Sequence, residues 1–190
     1  MSNVVCVLRC SRSHSRSLSL ARQSIGLRHL LELRGGRFLF HEFLKSEYSQ
    51  ENLDFWVRVE DFRARALSVE LAIEQSIAEF GSEAAVAVNA RLQLEPIHAQ
   101  ARLIYSTFVS PSAPDQININ STNRKTVTDR IEALGTPAAM AAATSVGGAK
   151  DSDVFDAAQV EIFRLLSSDS FMRFKKSPFW FRMLKHYEKK

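Results

Sequence analysis

Apolar residues recur along this chain at helical spacing, and no stretch shows the alternation of a half-buried strand. The densest stretch runs from Phe38 to Phe62. Phe40, Phe43 and Leu44 form one stripe, a polar Ser-Glu-Tyr-Ser follows, and a second helix is apolar on two sides. Leu53, Trp56 and Val57 mark one side; Phe55, Val59 and Phe62 mark the other. Ser49 suits the N-cap of that helix, with Glu51 in its first turn favoured by the helix dipole.

Other elements follow from the same period. Leu27, Leu30, Leu31 and Arg34 predict a short amphipathic helix stopped by Gly35-Gly36. Val69, Ile73, Ile77 and Phe80 predict a helix ended by Gly81, after which the alanines fit a second helix or a loose connection. Pro96 is expected to restart the chain in a helix carrying Ile97, Ala101, Ile104 and Phe108, which ends before Pro111. The stretch 115–123, DQININSTN, reads as a structured turn, with Ser121 or Thr122 capping a helix through Val127, Ile131 and Leu134. Asp153 is expected to cap a helix with Phe155, Ala158, Ile162, Leu165 and Leu166 on its core face. Pro178 fits the first turn of a last helix bearing Phe179, Trp180 and Leu184. The expected class is all-α.

Composition narrows the setting. The 190 residues are 45% hydrophobic and include thirteen Phe, enough for a real core. No apolar run approaches the roughly 20 residues that span a bilayer. Residues 1–34 hold six Arg against one acid, Glu32, while the rest of the chain holds 19 basic and 20 acidic residues. The basic character therefore belongs to the N-terminal stretch, and no nucleic-acid footprint is expected on the near-neutral remainder. Residues 1–22 fit a disordered tail, a segment drawn to anionic lipid with Cys6 and Cys10 as acylation sites, or an organelle transit peptide. Two cysteines without clustered histidines make neither a zinc site nor a disulfide framework, so no metal or cofactor is expected. A cytoplasmic monomer is expected, peripheral at the inner face of the plasma membrane if the tail binds lipid.

Catalytic patterns are missing. G-G-A-K at Gly147 to Lys150 lacks phosphate-loop spacing, and the five His have no Cys or carboxylate at metal-ligand spacing. No nucleophile elbow is visible, and Glu60-Asp61 are adjacent helix positions that point apart, fitting a solvated face. A binding module is favoured over an enzyme.

The order of motifs identifies the module. F-x-x-F-L-K-S-E-Y-S-x-E-N-x-x-F-W, Phe40 to Trp56, resembles the signature of the regulator of G-protein signalling (RGS) domain family. I-Y-x-x-F-[IV]-S-x-x-A-P at Ile104 to Pro114 and N-[IL]-x-S-x-x-R at Asn118 to Arg124 continue the resemblance. F-D-x-A-Q at Phe155 to Gln159 and D-S-[YF]-x-R-F-x-x-S-P at Asp169 to Pro178 close it, covering about Leu27 to Lys185. The resemblance implies a bundle of about nine helices over residues 23–188. Stretches 65–95 and 135–150 are longer than usual in the family and are expected as enlarged connections.

The resemblance also implies a partner, the GTP-bound α subunit of a heterotrimeric G protein (Gα). Ser49, Glu51 and Asn52 match positions that contact its switch regions; Leu165, Asp169, Ser170 and Arg173 match another contact cluster. In the family these form a pocket around a switch I threonine. Asn118 matches the position whose amide approaches the Gα glutamine that orients the attacking water. Asn120 matches a contact position where many members carry Asp, so one charge of the contact loop is missing here. Two function classes follow: a GTPase-activating protein that orders the switches, or an RGS-homology scaffold that binds without accelerating hydrolysis. The matching Asn52, Asn118, Asp169 and Arg173 favour the first. Singly, Ser49 and Asp169 are also good caps and Asn118 an ordinary turn residue.

Overall fold

The computed structural model describes residues 25–80, 84–136 and 150–187, without the side chains of 80–91 and 186–187. Every regular element among the described residues is helical. The helices are α1 (Leu27–Glu32), α2 (Arg34–Ser46), α3 (Glu51–Phe80), α4 (Ala84–Ile104), α5 (Ser121–Ala133), α6 (Asp156–Leu165), α7 (Phe171–Phe174) and α8 (Pro178–Tyr187). Two wide π-type turns, Tyr105–Val109 and Leu166–Ser170, extend α4 and α6. None of the described helices is long and apolar enough to cross a membrane.

The chain divides into two compact units. One joins the described residues up to Gln50 with those from Leu165 onward; the other holds the described residues between Glu51 and Arg164. In the first, α1, α2, α7 and α8 enclose an aromatic core. The Phe174 ring lies 5.0 Å from Phe40, 5.5 Å from Phe43 and 5.6 Å from Trp180, all between ring centroids. In the second unit Phe55 and Phe62 of α3 meet Phe155 edge-on at 6.1 and 5.5 Å, and Phe55 meets Phe108 at 5.8 Å. These are the tilted and edge-to-face arrangements that aromatic quadrupoles favour.

The F-D-x-A-Q block has a structural job in that second unit. Phe155 fills the core, while Gln159 accepts from Arg63 at 2.6 Å and donates to Glu60 at 2.7 Å. Arg63 also pairs with Asp156. Glu60 is therefore a latch between α3 and α6, where a simply solvated carboxylate was expected.

Several boundaries differ from the pattern. The break after the first helix falls at Leu33, and Gly35-Gly36 lie inside α2. Packing explains it: a Cβ on Gly36 would stand 2.9 Å from the Leu30 carbonyl oxygen and 2.8 Å from its Cδ1. A backbone atom cannot swing away, so Gly36→Ala should destabilise by about 1–3 kcal/mol. A thermal melt checks this; an unchanged midpoint would mean that α1 shifts freely.

Pro96 lies inside α4 and does not restart it. The carbonyl it leaves without a donor belongs to Leu92, an exposed position where water can serve. The described part of 65–95 is accordingly helix, with Ile73 and Leu94 packed together as a satellite core beside Val69 and Ile77. Helix α6 opens at Asp156, after a short 3-10 turn at Asp151–Asp153, so Asp153 pairs with Arg130 and caps no long helix. His98 meets a carboxylate after all, Asp151, at 2.7 Å between buried side chains distant in sequence. Residues 1–22, with Cys6 and Cys10, and most of 135–150 lie outside the described residues.

Candidate protein-binding site

In the second unit the polar stretch after α4 folds back on its own wide turn. Ser110 N–H bonds the Tyr105 carbonyl at 2.9 Å, Asp115 N–H bonds Thr107 at 3.1 Å, and Ile117 N–H bonds Phe108 at 2.9 Å. Arg124 reaches from α5 to the carbonyls of Val109 and Ile117. The two isolated isoleucines of DQININSTN are anchors: Ile117 and Ile119 are buried, and the residue between them is exposed. Asn118 is that residue, and its side chain makes no hydrogen bond among the described residues.

Asn120 caps α5, its Oδ1 accepting from Asn123 N–H at 2.8 Å. Ser121 and Thr122, expected as caps, are already helical. Asn120 also donates from its backbone N–H and its Nδ2 to the two oxygens of Glu161, at 3.0 and 2.9 Å. Glu161 lies 41 residues away on α6 and was not expected at the site.

Glu51 and Asn52 open α3 in the same unit, one residue later than a Ser49 cap would place the helix start. Asn52 is buried and donates from Nδ2 to Glu51 Oε1 at 2.6 Å. Burial pushes the Glu51 carboxyl above its ordinary value of 4.5, and the nearby charges of Asp115 and Asp54 push the same way. Its ionised form is thus disfavoured in the fold. The cost is absent well below the ordinary value, grows as pH rises through it, and is complete once pH exceeds the raised value. Glu51→Gln should therefore melt higher than the parent at pH 7, with the difference reduced at pH 4. An equal gap at both values would remove burial of the charge as its cause.

The first unit holds the remaining candidates. Arg173 donates Nε and NH2 to the two oxygens of Glu47 at 2.8 and 2.9 Å, and NH1 to Asp169. These two carboxylates raise the guanidinium's pKa further above its ordinary range. The expected i, i+4 pair of Asp169 and Arg173 is present; Glu47 was not expected. At partly exposed positions such pairs contribute at most about 1 kcal/mol, so their effect is to fix geometry. The wide turn Leu166–Ser170 buries Leu166 and Ser170 and leaves Asp169 outside, while Leu165 is half-buried. Ser49 is half-buried, its N–H bonding the Leu44 carbonyl at 3.0 Å.

Tyr48, also passed over in the sequence, is 92% exposed and sits at φ 54°, a left-handed backbone that bulky residues rarely adopt. Outliers of this kind cluster at recognition sites. Among the described residues no group of three or more His, Cys, Asp or Glu could hold a metal ion.

Every regular element among the described residues is helical, and each unit holds its own set of pinned polar side chains. Comparison with known proteins gives the family of the chain. The sequence model of the Regulator of G protein signaling domain matches residues 26–183, and the chain belongs to that family. Regulator of G-protein signaling 1 of Xenopus tropicalis is 31% identical over 165 residues, covering 86% of this chain and 61% of the relative. Regulator of G-protein signaling 16 of Bos taurus is 30% identical over 149 residues, covering 78% and 53%. Regulator of G-protein signaling rgs-7 of Caenorhabditis elegans is 27% identical over 164 residues, covering 86% and 15%. The chain thus spans about three fifths or less of the length of these relatives.

Proposed function

We propose that this chain is a GTPase activator of Gα subunits that supplies order and no chemical group of its own. Gα carries its catalytic Arg in cis and the Gln that orients the attacking water. A partner complementary to the switches in their transition-state arrangement lowers the barrier by differential binding alone. The observation that carries this reading is Asn118, a polar side chain held in solvent between two buried isoleucines on a segment pinned by backbone bonds and by Arg124. Ordering cost is met in advance there, as a rigid contact requires. Ser49, Glu51, Asn52, Leu165, Asp169, Ser170 and Arg173 are proposed as further Gα-binding residues, Glu47 and Tyr48 as additions, and Asn120 as the residue that sets the Asn118 segment.

The test is single-turnover GTP hydrolysis by Gi-class and Gq-class α subunits with and without this protein. Acceleration of either class supports the proposal. Binding with no acceleration would leave the scaffold reading, and no binding would discard both.

A further inference from the structure

Asn120 is normally judged by the charge it lacks, but its surroundings reverse that view. Both ends of its amide are committed within the chain: Oδ1 accepts from Asn123 N–H, and Nδ2 donates to Glu161 Oε2. Its backbone N–H donates to Glu161 Oε1. Asn123 Nδ2 reaches the same Glu161 Oε2 at 2.7 Å and the Ala157 carbonyl at 3.5 Å. One half-buried carboxylate on α6 therefore gathers three N–H groups from the start of α5. Only a side chain with both an acceptor and a donor can cap α5 and meet Glu161 at once. Aspartate could cap, but it would set a second carboxylate against the first.

We infer that Glu161 is a positioning residue for the Asn118 contact segment, and that it dictates asparagine at position 120. The functional half of this inference rests on the reading of Asn118 as a Gα contact. Glu161 holds residues 118–123 in their bound conformation before the partner arrives. Loosening it makes the partner bear the ordering cost, which raises the concentration needed for binding. The rate once bound depends on Asn118 itself and is largely retained. Only the contact between the two side chains is exchangeable: ammonium and carboxylate can replace carboxylate and amide with the donor direction reversed, while the Asn120 backbone N–H loses its acceptor.

The experiment compares the parent with Glu161→Ala, Glu161→Gln, Asn120→Asp, Glu161→Lys and the double variant Asn120→Asp/Glu161→Lys. Amide hydrogen exchange of the free chain is read at Asn120 and Asn123, with 97–104 of α4 as a gauge of global stability. Exchange at the two asparagines should quicken roughly tenfold in Glu161→Ala and Asn120→Asp with α4 unchanged. Glu161→Gln, which keeps one acceptor oxygen, should lie between, and the double variant should recover towards the parent at Asn123, whose N–H keeps its cap, and stay fast at position 120. In single-turnover GTP hydrolysis, Glu161→Ala should raise the half-maximal concentration roughly tenfold and leave the maximal rate nearly unchanged. Asn118→Ala should do the opposite. Unchanged exchange in Glu161→Ala, or a double variant no better at Asn123 than the worse single variant, overturns the positioning role. Faster exchange with no change in half-maximal concentration reduces Glu161 to a purely structural residue and also overturns it. No acceleration by the parent protein overturns the GTPase reading itself, which the exchange data would distinguish from failure of the Glu161–Asn120 linkage.

Discussion

Asn118→Ala is expected to remove most of the acceleration of GTP hydrolysis while leaving the fold intact. The side chain is exposed and bonds none of the described residues, so its removal opens no cavity and strands no buried group. Surface changes of that kind usually move stability by less than about 0.5 kcal/mol. The catalytic effect is much larger. A polar group that orients the reacting centre in the transition state is worth on the order of a hundredfold. The maximal rate should therefore fall while the melting midpoint stays in place. A fall in both would mark Asn118 as structural; a fall in neither would remove it from the contact.

Phe174→Ala should cause the largest loss of stability. Phe174 is fully buried and packs against Phe40, Phe43, Phe171 and Trp180 with ring separations of 5.0, 5.5, 6.5 and 5.6 Å. Truncation removes that surface and leaves a cavity between helices α2, α7 and α8, at a cost of about 3–5 kcal/mol. For a domain of this size the melting midpoint should fall by on the order of 10 °C. Its chain neighbour Arg173 holds Glu47 and Asp169 outside the same short helix. Exchange at Arg173 should rise with that at Phe171, and Phe174→Leu should retain more of both. A midpoint within 2 °C of the parent, far short of the shift that core truncation normally gives, would contradict the packing account.

The difference between what the sequence reveals and what it conceals is physical. Period 3.6 alone located the apolar stripes of Phe40 and Phe43, of Phe55, Val59 and Phe62, and of Ile97, Ala101 and Ile104, because burial repeats with the helix turn. It failed where a local signal met tertiary packing. Gly35-Gly36 reads as a stop, yet Gly36 is needed because α2 crosses the Leu30 carbonyl too closely for a Cβ. Pro96 reads as a restart, yet one exposed carbonyl is a small loss in a long helix.

The candidate residues follow the same division. Asp169 and Arg173 are one helical turn apart, so their pairing was visible in the spacing. Glu47 joins them across 126 residues, and Glu161 meets Asn120 across 41. Neither separation leaves a periodic trace. The ININ run did hold a signal: two apolar residues flanking an amide in an otherwise polar turn are anchors around a presented side chain.

An activator of the proposed kind prefers the switches in their transition-state arrangement. The deciding experiment compares the affinity of this protein for Gα bound to GDP with aluminium fluoride, to a non-hydrolysable GTP analogue, and to GDP. Affinity should be highest for the aluminium fluoride complex, intermediate for the analogue and weakest for GDP, with Asn118→Ala narrowing the first gap. Equal affinity for the first two states would contradict the account, since a partner that binds ground and transition states alike leaves the barrier where it was.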